Sequence, residues 1–261
     1  MSKEPQGETE ESRMPLWEHL DELRNRLIAS LLVVAAGACV AYYFADTLVW
    51  VLEKPLLDLL PEGEKHLYFT GLADKFFIYL QVSLIFAVAG TSPLLFYQLW
   101  LFVAPGLYQR ERRLALPFVL LATLTFSIGL CFGYFIVVPF GYKFLIEFGG
   151  NEKAIITLTE YFSLTLKLLL AIALVFELPV VLMLLAVMGI VNARLLKKNR
   201  RFAFVASAVV AAVATPSPDA FTMILVMVPL YLLYEFSVIG VGWIVRRQEK
   251  EKAAAEATPD S

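Results

Sequence analysis

Long apolar runs, broken by short polar or turn-forming segments, occupy most of the chain: Leu27 to Phe44, Phe76 to Val103, Leu114 to Pro139, Tyr161 to Val191 and Phe202 to Arg246. A helix needs about 20 apolar residues to cross a bilayer, so each of the first four runs predicts one span. The last run has about twice that length and is broken by Thr215 to Asp219 (TPSPD), which predicts a hairpin. Its first limb, Phe202 to Ala214, would rise only about 20 Å against a hydrocarbon core of roughly 30 Å, so the bilayer is expected to thin there. The expected fold is an all-α integral membrane protein of six transmembrane helices, the fifth and sixth short or tilted. Residues 14–247 form one membrane domain, and 1–13 and 248–261 are read as disordered tails.

Interruptions within the runs predict local shape. Thr91, Ser92 and Pro93 kink the second span and free backbone carbonyls for local partners. Pro179 gives the long fourth span a place to bend. Asp46 to Asp74, with Pro55 and Pro61 and a weak amphipathic pattern over Leu48 to Leu60, is too polar to cross and predicts a cap on the far surface. Gly141 to Glu160 is read as a short outer segment turning at Gly149 and Gly150.

The segment before the first span, Met14 to Ile28 (MPLWEHLDELRNRLI), is amphipathic. Leu16, Leu20, Leu23 and Leu27 form one narrow helical stripe, Glu18, Glu22 and Asn25 lie opposite, and Pro15 suits the first helical position. By itself this describes a juxtamembrane helix with solvated charges. The loop Pro105 to Arg113 (PGLYQRERR) changes that picture, because it sets Glu111 among Arg110, Arg112 and Arg113. Two carboxylates, Glu22 and Glu111, then face one aqueous rim.

Composition excludes a soluble domain: 59% of residues are hydrophobic, 18% charged, and the mean hydropathy is +0.70. The net charge of -2 carries little information, since membrane proteins are read by where Lys and Arg lie. Every arginine (positions 13, 24, 26, 110, 112, 113, 194, 200, 201, 246 and 247) falls on one face of the six-span path. That face is cytoplasmic by the positive-inside bias, with both termini on it. Cys39 and Cys131 read as small buried hydrophobes, with no disulfide framework or metal site. Met1 to Arg13 is polar and acidic and the first apolar run is late and long, so no cleavable signal peptide is expected. No internal repeat is evident, which weighs against a typical secondary transporter.

Glu177, in LVFELPVV, lies near the middle of the fourth span. A carboxyl there is protonated, paired or beside a water-filled recess; it is either functional or a structural hydrogen-bonding acid, and both can hold. Gln98 and Glu235 sit near the cytoplasmic ends of the second and sixth spans, where interfacial hydrogen bonds account for them. Lys167 is expected to snorkel. Ser217, Pro218 and Asp219 make a helix start, with Ser217 at the cap and Asp219 in the first turn. Pro55 and Asp219 are the outer-side candidates. His19 and His66 are isolated, and no hydrolase, nucleotide-binding or metal-binding motif is present, so neither an enzyme nor a cofactor is expected.

HLDELRNRLI before the first span, FYQLWLFVAPGLYQRERR at the end of the second, FELP in the fourth and TPSPDAF between the short fifth and the sixth resemble the TatC family, the core subunit of the twin-arginine protein translocase. The resemblance runs from Met14 to Arg247. It implies a cupped six-helix bundle in the bacterial cytoplasmic (inner) membrane whose cytoplasmic rim binds twin-arginine signal peptides of folded cargo. By position, Glu22 and Glu111 resemble the acidic residues that engage those arginines, with Arg24, Phe102 and Pro105 beside them. Phe102, Trp100 and Tyr108 offer aromatic faces for a guanidinium or for the peptide's apolar segment. The resemblance further implies TatA- and TatB-type single-span partners, an oligomer within the translocase, and use of the proton motive force; Gln98, Glu177 and Glu235 are the candidate intramembrane partner contacts. Two rivals remain: a proton-coupled small-solute carrier using Glu177 as relay, which a polar pathway through several spans would support, and an intramembrane enzyme, which would need a nucleophile-base pair or metal ligands at depth.

Overall fold

The structure, a computed structural model, describes residues 16–63, 65–106, 114–150, 155–215 and 219–256, with side chains described in all but 16, 18 and 248–256. Its order is α1 (Leu16–Tyr43), α2 (Ala45–Leu57), α3 (Asp74–Val103), α4 (Ala115–Phe132), a π-turn (Gly133–Val137), α5 (Val138–Phe148), α6 (Leu158–Val175), α7 (Leu178–Val187), α8 (Ala193–Lys198), α9 (Arg200–Ala214) and α10 (Ala220–Glu256). Among the described residues the only extended pairing is the isolated bridge between Tyr68 and Thr157. Among the described residues, five helical stretches are long and apolar enough to cross a membrane: His19–Tyr43, Asp74–Val103, Ala115–Phe148, Leu158–Val187 and Ala220–Arg247. The chain is therefore a multi-pass membrane protein.

Two expectations about helix ends are corrected. The third span does not stop at Pro139. Val138 N–H reaches back five residues to the Gly133 carbonyl, and this π-turn takes up the geometry that Pro139 would otherwise break, so helix continues to Phe148. α9 is short as expected, its 15 residues rising about 22 Å, but α10 is not: it runs 37 residues. α10 also continues past Arg247 through QEKEKAAAE, a run of strong helix formers, to Glu256, where a disordered tail was expected. Asp219 caps α10, which is the account its place in the helix start gives it, its Oδ2 accepting from Thr222 N–H at 2.6 Å and from the Thr222 hydroxyl at 2.8 Å. Ser217 and Pro218 lie outside the described residues.

Two prolines inside helices, Pro93 and Pro55, are matched to hydroxyl donors. Pro93 cannot donate to the Ala89 carbonyl four residues earlier, and the Ser92 hydroxyl donates to it instead, at 2.8 Å. Pro55 likewise leaves the Val51 carbonyl without its helical partner, and the Tyr134 hydroxyl donates there at 2.6 Å. Tyr161 donates to the next carbonyl, that of Leu52, so two tyrosines from different helices hold α2.

The main core gathers around α6. Phe162, Leu169 and Ile172 meet Leu52 and Leu56 of α2, Val82 of α3, Val137 before α5, and Val226 and Leu230 of α10. Buried Tyr142 and Thr165 share a 3.0 Å hydrogen bond inside it. Helices within the bilayer gain little from burial as such and rely on close packing. Gly129 supplies that closeness, since a Cβ there would lie 2.8 Å from Ala173 Cα of α6. α1 packs along α3, with Gly37 against Thr91 and Ala87, and α10 packs on α7 and α9. Outward faces carry apolar stripes such as Leu120, Leu124 and Ile128 on α4 and Ile224, Val228 and Leu232 on α10, at the spacing of a lipid-facing helix surface. Cys39 and Cys131 stand on these exposed faces and are not buried, a setting a thiol tolerates as a small hydrophobe.

Candidate functional site

α1 is one helix from Leu16 to Tyr43, so the amphipathic segment and the first span share an axis and the acidic stripe is rigidly joined to the membrane part. Glu22 and Arg26 are one turn apart and form an ion pair, Arg26 Nη2 to Glu22 Oε1 at 3.5 Å. Arg26 Nη1 donates to Gln98 Oε1 of α3 at 3.3 Å. One turn further along α3, Phe102 stacks on His19 with ring centroids 4.5 Å apart and planes 16° from parallel. Pro105 lies in the 3-10 turn Ala104–Gly106 that ends α3, and Arg24 is exposed beside Glu22. Glu22 Oε2 is buried and has no hydrogen-bond partner among the described residues. A half-neutralised carboxylate with one unfilled oxygen can accept a donor from outside, and a guanidinium fits it best because its planar fork matches carboxylate geometry.

The structure thus brings Glu22, Arg24, Gln98, Phe102 and Pro105 to the α1–α3 end. Glu111, Tyr108 and the arginines around them lie outside the described residues. Trp100 is corrected: it is 3% exposed and packs on Phe118 of α4, so it anchors the helix end and offers no face to a ligand. Arg26 and His19 were not among the sequence candidates. The Glu22–Arg26 spacing was a readable signal, whereas the stacking of His19 on Phe102 joins distant segments and left none.

The remaining polar candidates fall at separate places. Glu177 is 7% exposed, at the break between α6 and α7, where Pro179 follows. The Thr125 hydroxyl of α4 lies 3.0 Å from Glu177 Oε1, and also 3.0 Å from the Leu121 carbonyl and 3.1 Å from that of Ala122. One hydroxyl hydrogen serves one of these acceptors at a time, so Thr125 donates either to Glu177 or back to its own helix. Glu235 of α10 accepts from Arg200 at 2.7 Å and from Tyr231 at 3.0 Å, an interfacial cluster with α9. Gln98, Glu177 and Glu235 are each held by a different neighbour: Arg26, Thr125 and Arg200.

At the opposite end, α2 covers the helix ends. Asp46, Glu53, Lys65, His66, Lys75 and Tyr79 line a cavity of about 470 Å³. Tyr79 bonds Asp46, and Lys75 Nζ lies 5.1 Å from the Tyr79 ring centroid. Burial raises the Glu53 carboxyl above its ordinary value and the charge of Lys75 opposes the rise. Pro55 and Asp219, the outer-side candidates, act here as a helix-shaping residue and a cap.

Comparison with known proteins gives one consistent answer. The family model described as Sec-independent protein translocase protein (TatC) matches residues 18–229. A Sec-independent protein translocase protein TatC of Desulforapulum autotrophicum is 42% identical over 252 residues, covering 96% of this chain and 93% of that protein. One of Magnetococcus marinus is 38% identical, covering 95% and 91%. A crystal structure of the twin-arginine translocase receptor TatC superimposes with a TM-score of 0.72 at 35% identity, covering 87% of this chain and 99% of that one. On a family match over most of its length, the chain belongs to the TatC family of Sec-independent protein translocase proteins.

Proposed function

We propose that this chain is the core signal-receptor subunit of a twin-arginine translocase, binding the twin-arginine signal peptides of folded proteins at the α1–α3 rim. The observation that carries the reading is the state of Glu22: one oxygen on Arg26, the other buried and without a partner among the described residues, beside the His19–Phe102 stack. Two adjacent arginines need two acceptors, and Glu111, from the loop that follows Pro105, is the second. The stacked rings offer an apolar and π-rich surface for a guanidinium face.

In this reading the chain crosses the bacterial inner membrane six times, α9 being the short fifth crossing, with both termini cytoplasmic. The arginine distribution supports it, as Arg24, Arg26, Arg194, Arg200, Arg201, Arg246 and Arg247 all belong to the same side of the path. Residues 14–247 form the membrane domain. TatA- and TatB-type single-span proteins assemble with it into an oligomeric translocase, and Glu177 serves that assembly or the transport step.

The test is photo-crosslinking of a twin-arginine signal peptide, carrying its probe beside the arginines, to the purified full chain. Adducts at the α1–α3 rim that are lost in Glu22→Ala support the assignment; undiminished adducts at the same positions in that variant overturn it.

A further inference from the structure

We propose that the cleft between α2 and the α4–α5 helix is a phospholipid site, taking a phosphoethanolamine headgroup at Lys54 and Asp58 and one acyl chain in the apolar chamber beneath. Two chambers meet there. The upper, about 290 Å³, is lined by Lys54, Pro55, Asp58 and Pro139 together with Tyr134 and Phe135. The lower, about 190 Å³, shares Tyr134 and Phe135 and is otherwise walled by hydrocarbon groups and the Cys131 thiol, with Ile85, Ala89, Leu130 and Leu169 among them. The Tyr134 hydroxyl is committed to the Val51 carbonyl at 2.6 Å and asks nothing of an occupant.

Depth decides what the lower chamber can hold. α3 begins at Asp74, and Ile85 and Ala89 lie about 16 to 22 Å along its axis, within the hydrocarbon region. An open apolar chamber at that depth is filled by acyl chain. The upper chamber opens at headgroup level: exposed Trp50 marks the interfacial belt, and Lys54 Nζ lies 5.9 Å from its ring centroid. Lys54 and Asp58 are one helical turn apart, both exposed, and neither forms an ion pair among the described residues. A cation and an anion side by side match the phosphate and the ammonium of one zwitterionic headgroup, whereas an anionic headgroup without an amine would leave Asp58 opposed to it. The inference stands on this cleft alone and is independent of the signal-receptor reading.

Native mass spectrometry of the delipidated full chain, titrated with dioleoyl phosphatidylethanolamine or dioleoyl phosphatidylglycerol, tests it. One phosphatidylethanolamine should be retained about fivefold more strongly, the upper scale of a single exposed ion pair. Asp58→Asn should erase that preference while keeping binding, and Lys54→Gln should weaken both lipids; both positions are exposed, so folding is not at stake. Ala89→Phe, filling the lower chamber, should abolish retention. As a measurement independent of that variant's folding, a diazirine on the acyl chain should label Phe135 and its neighbours in the unaltered chain. Equal retention of the two lipids, a preference that survives Asp58→Asn, or labelling confined to other surfaces would overturn the proposal, as would a probe at Phe135 that captures polypeptide and no lipid in native membranes.

Discussion

Arg26 of α1 donates to Gln98 of α3 at 3.3 Å while its other terminal nitrogen faces Glu22 at 3.5 Å. The same guanidinium therefore ties the two helices of the proposed receptor rim together and occupies half of the carboxylate that an incoming arginine would use. Arg26→Gln keeps a donor for Gln98 and removes the competing charge. A twin-arginine peptide should then bind about threefold more tightly, the scale of one exposed ion pair. Weaker binding by titration calorimetry, at unchanged folding, would instead make Arg26 the residue that orients Glu22.

Tyr134 and Pro55 form a compensating pair, because the proline removes the N–H that would serve the Val51 carbonyl and the tyrosine replaces it. Tyr134→Phe should lower stability by about 1 kcal/mol, the cost of an unmet partly buried acceptor. In a Pro55→Ala background, where the new backbone N–H can close the helical bond, the same change should be close to silent. Equal losses in both backgrounds, measured by thermal unfolding in detergent, would separate the two residues.

Much of this architecture can be read from the chain. Apolar runs locate the spans, Pro179 marks the break beside Glu177, and the Glu22–Arg26 spacing predicts their ion pair. What escapes are compensations made between distant segments. Pro139 looks like a helix end, yet Gly133 admits a π-turn and the helix continues. Trp100 looks like a rim aromatic, yet it faces Phe118 and not water. Cys39 and Cys131 sit in apolar runs, but an apolar run in a membrane protein has a lipid side as well as a core side, and periodicity alone does not choose between them. His19 becomes part of the rim only because α1 lies along α3.

The arginine distribution predicts which loops face which compartment. A single cysteine at Glu62, in the loop after α2, should react with an impermeant thiol reagent added outside intact cells, and one at Lys198, at the end of α8, should react only after permeabilisation. These assays use a background in which Cys39 and Cys131 are replaced by serine, because both native thiols are exposed on the helix faces. Labelling of Lys198 from outside would contradict cytoplasmic termini.

Glu177 is 3.0 Å from a threonine that has two backbone acceptors of its own to turn to. Losing the carboxyl therefore leaves Thr125 satisfied, and both Glu177→Gln and Glu177→Ala should fold and bind signal peptide at the distant rim. Both should nonetheless lower export of a folded twin-arginine cargo. Full export by Glu177→Gln at equal membrane abundance would return the residue to a purely structural hydrogen bond.

In the proposed receptor, Glu22 and Glu111 together hold the paired arginines of a signal peptide. The most direct measurement is the affinity of the purified chain for a twin-arginine peptide and for its Lys-Lys counterpart. Removing one charge-assisted contact by Glu22→Gln should weaken the arginine peptide by about one to two orders of magnitude. Wild-type protein should prefer arginine strongly, since lysine cannot bridge a carboxylate bidentately. In the Glu22→Ala, Glu111→Ala double variant that preference should collapse. An arginine-over-lysine preference that survives undiminished in the folded double variant would contradict the assignment.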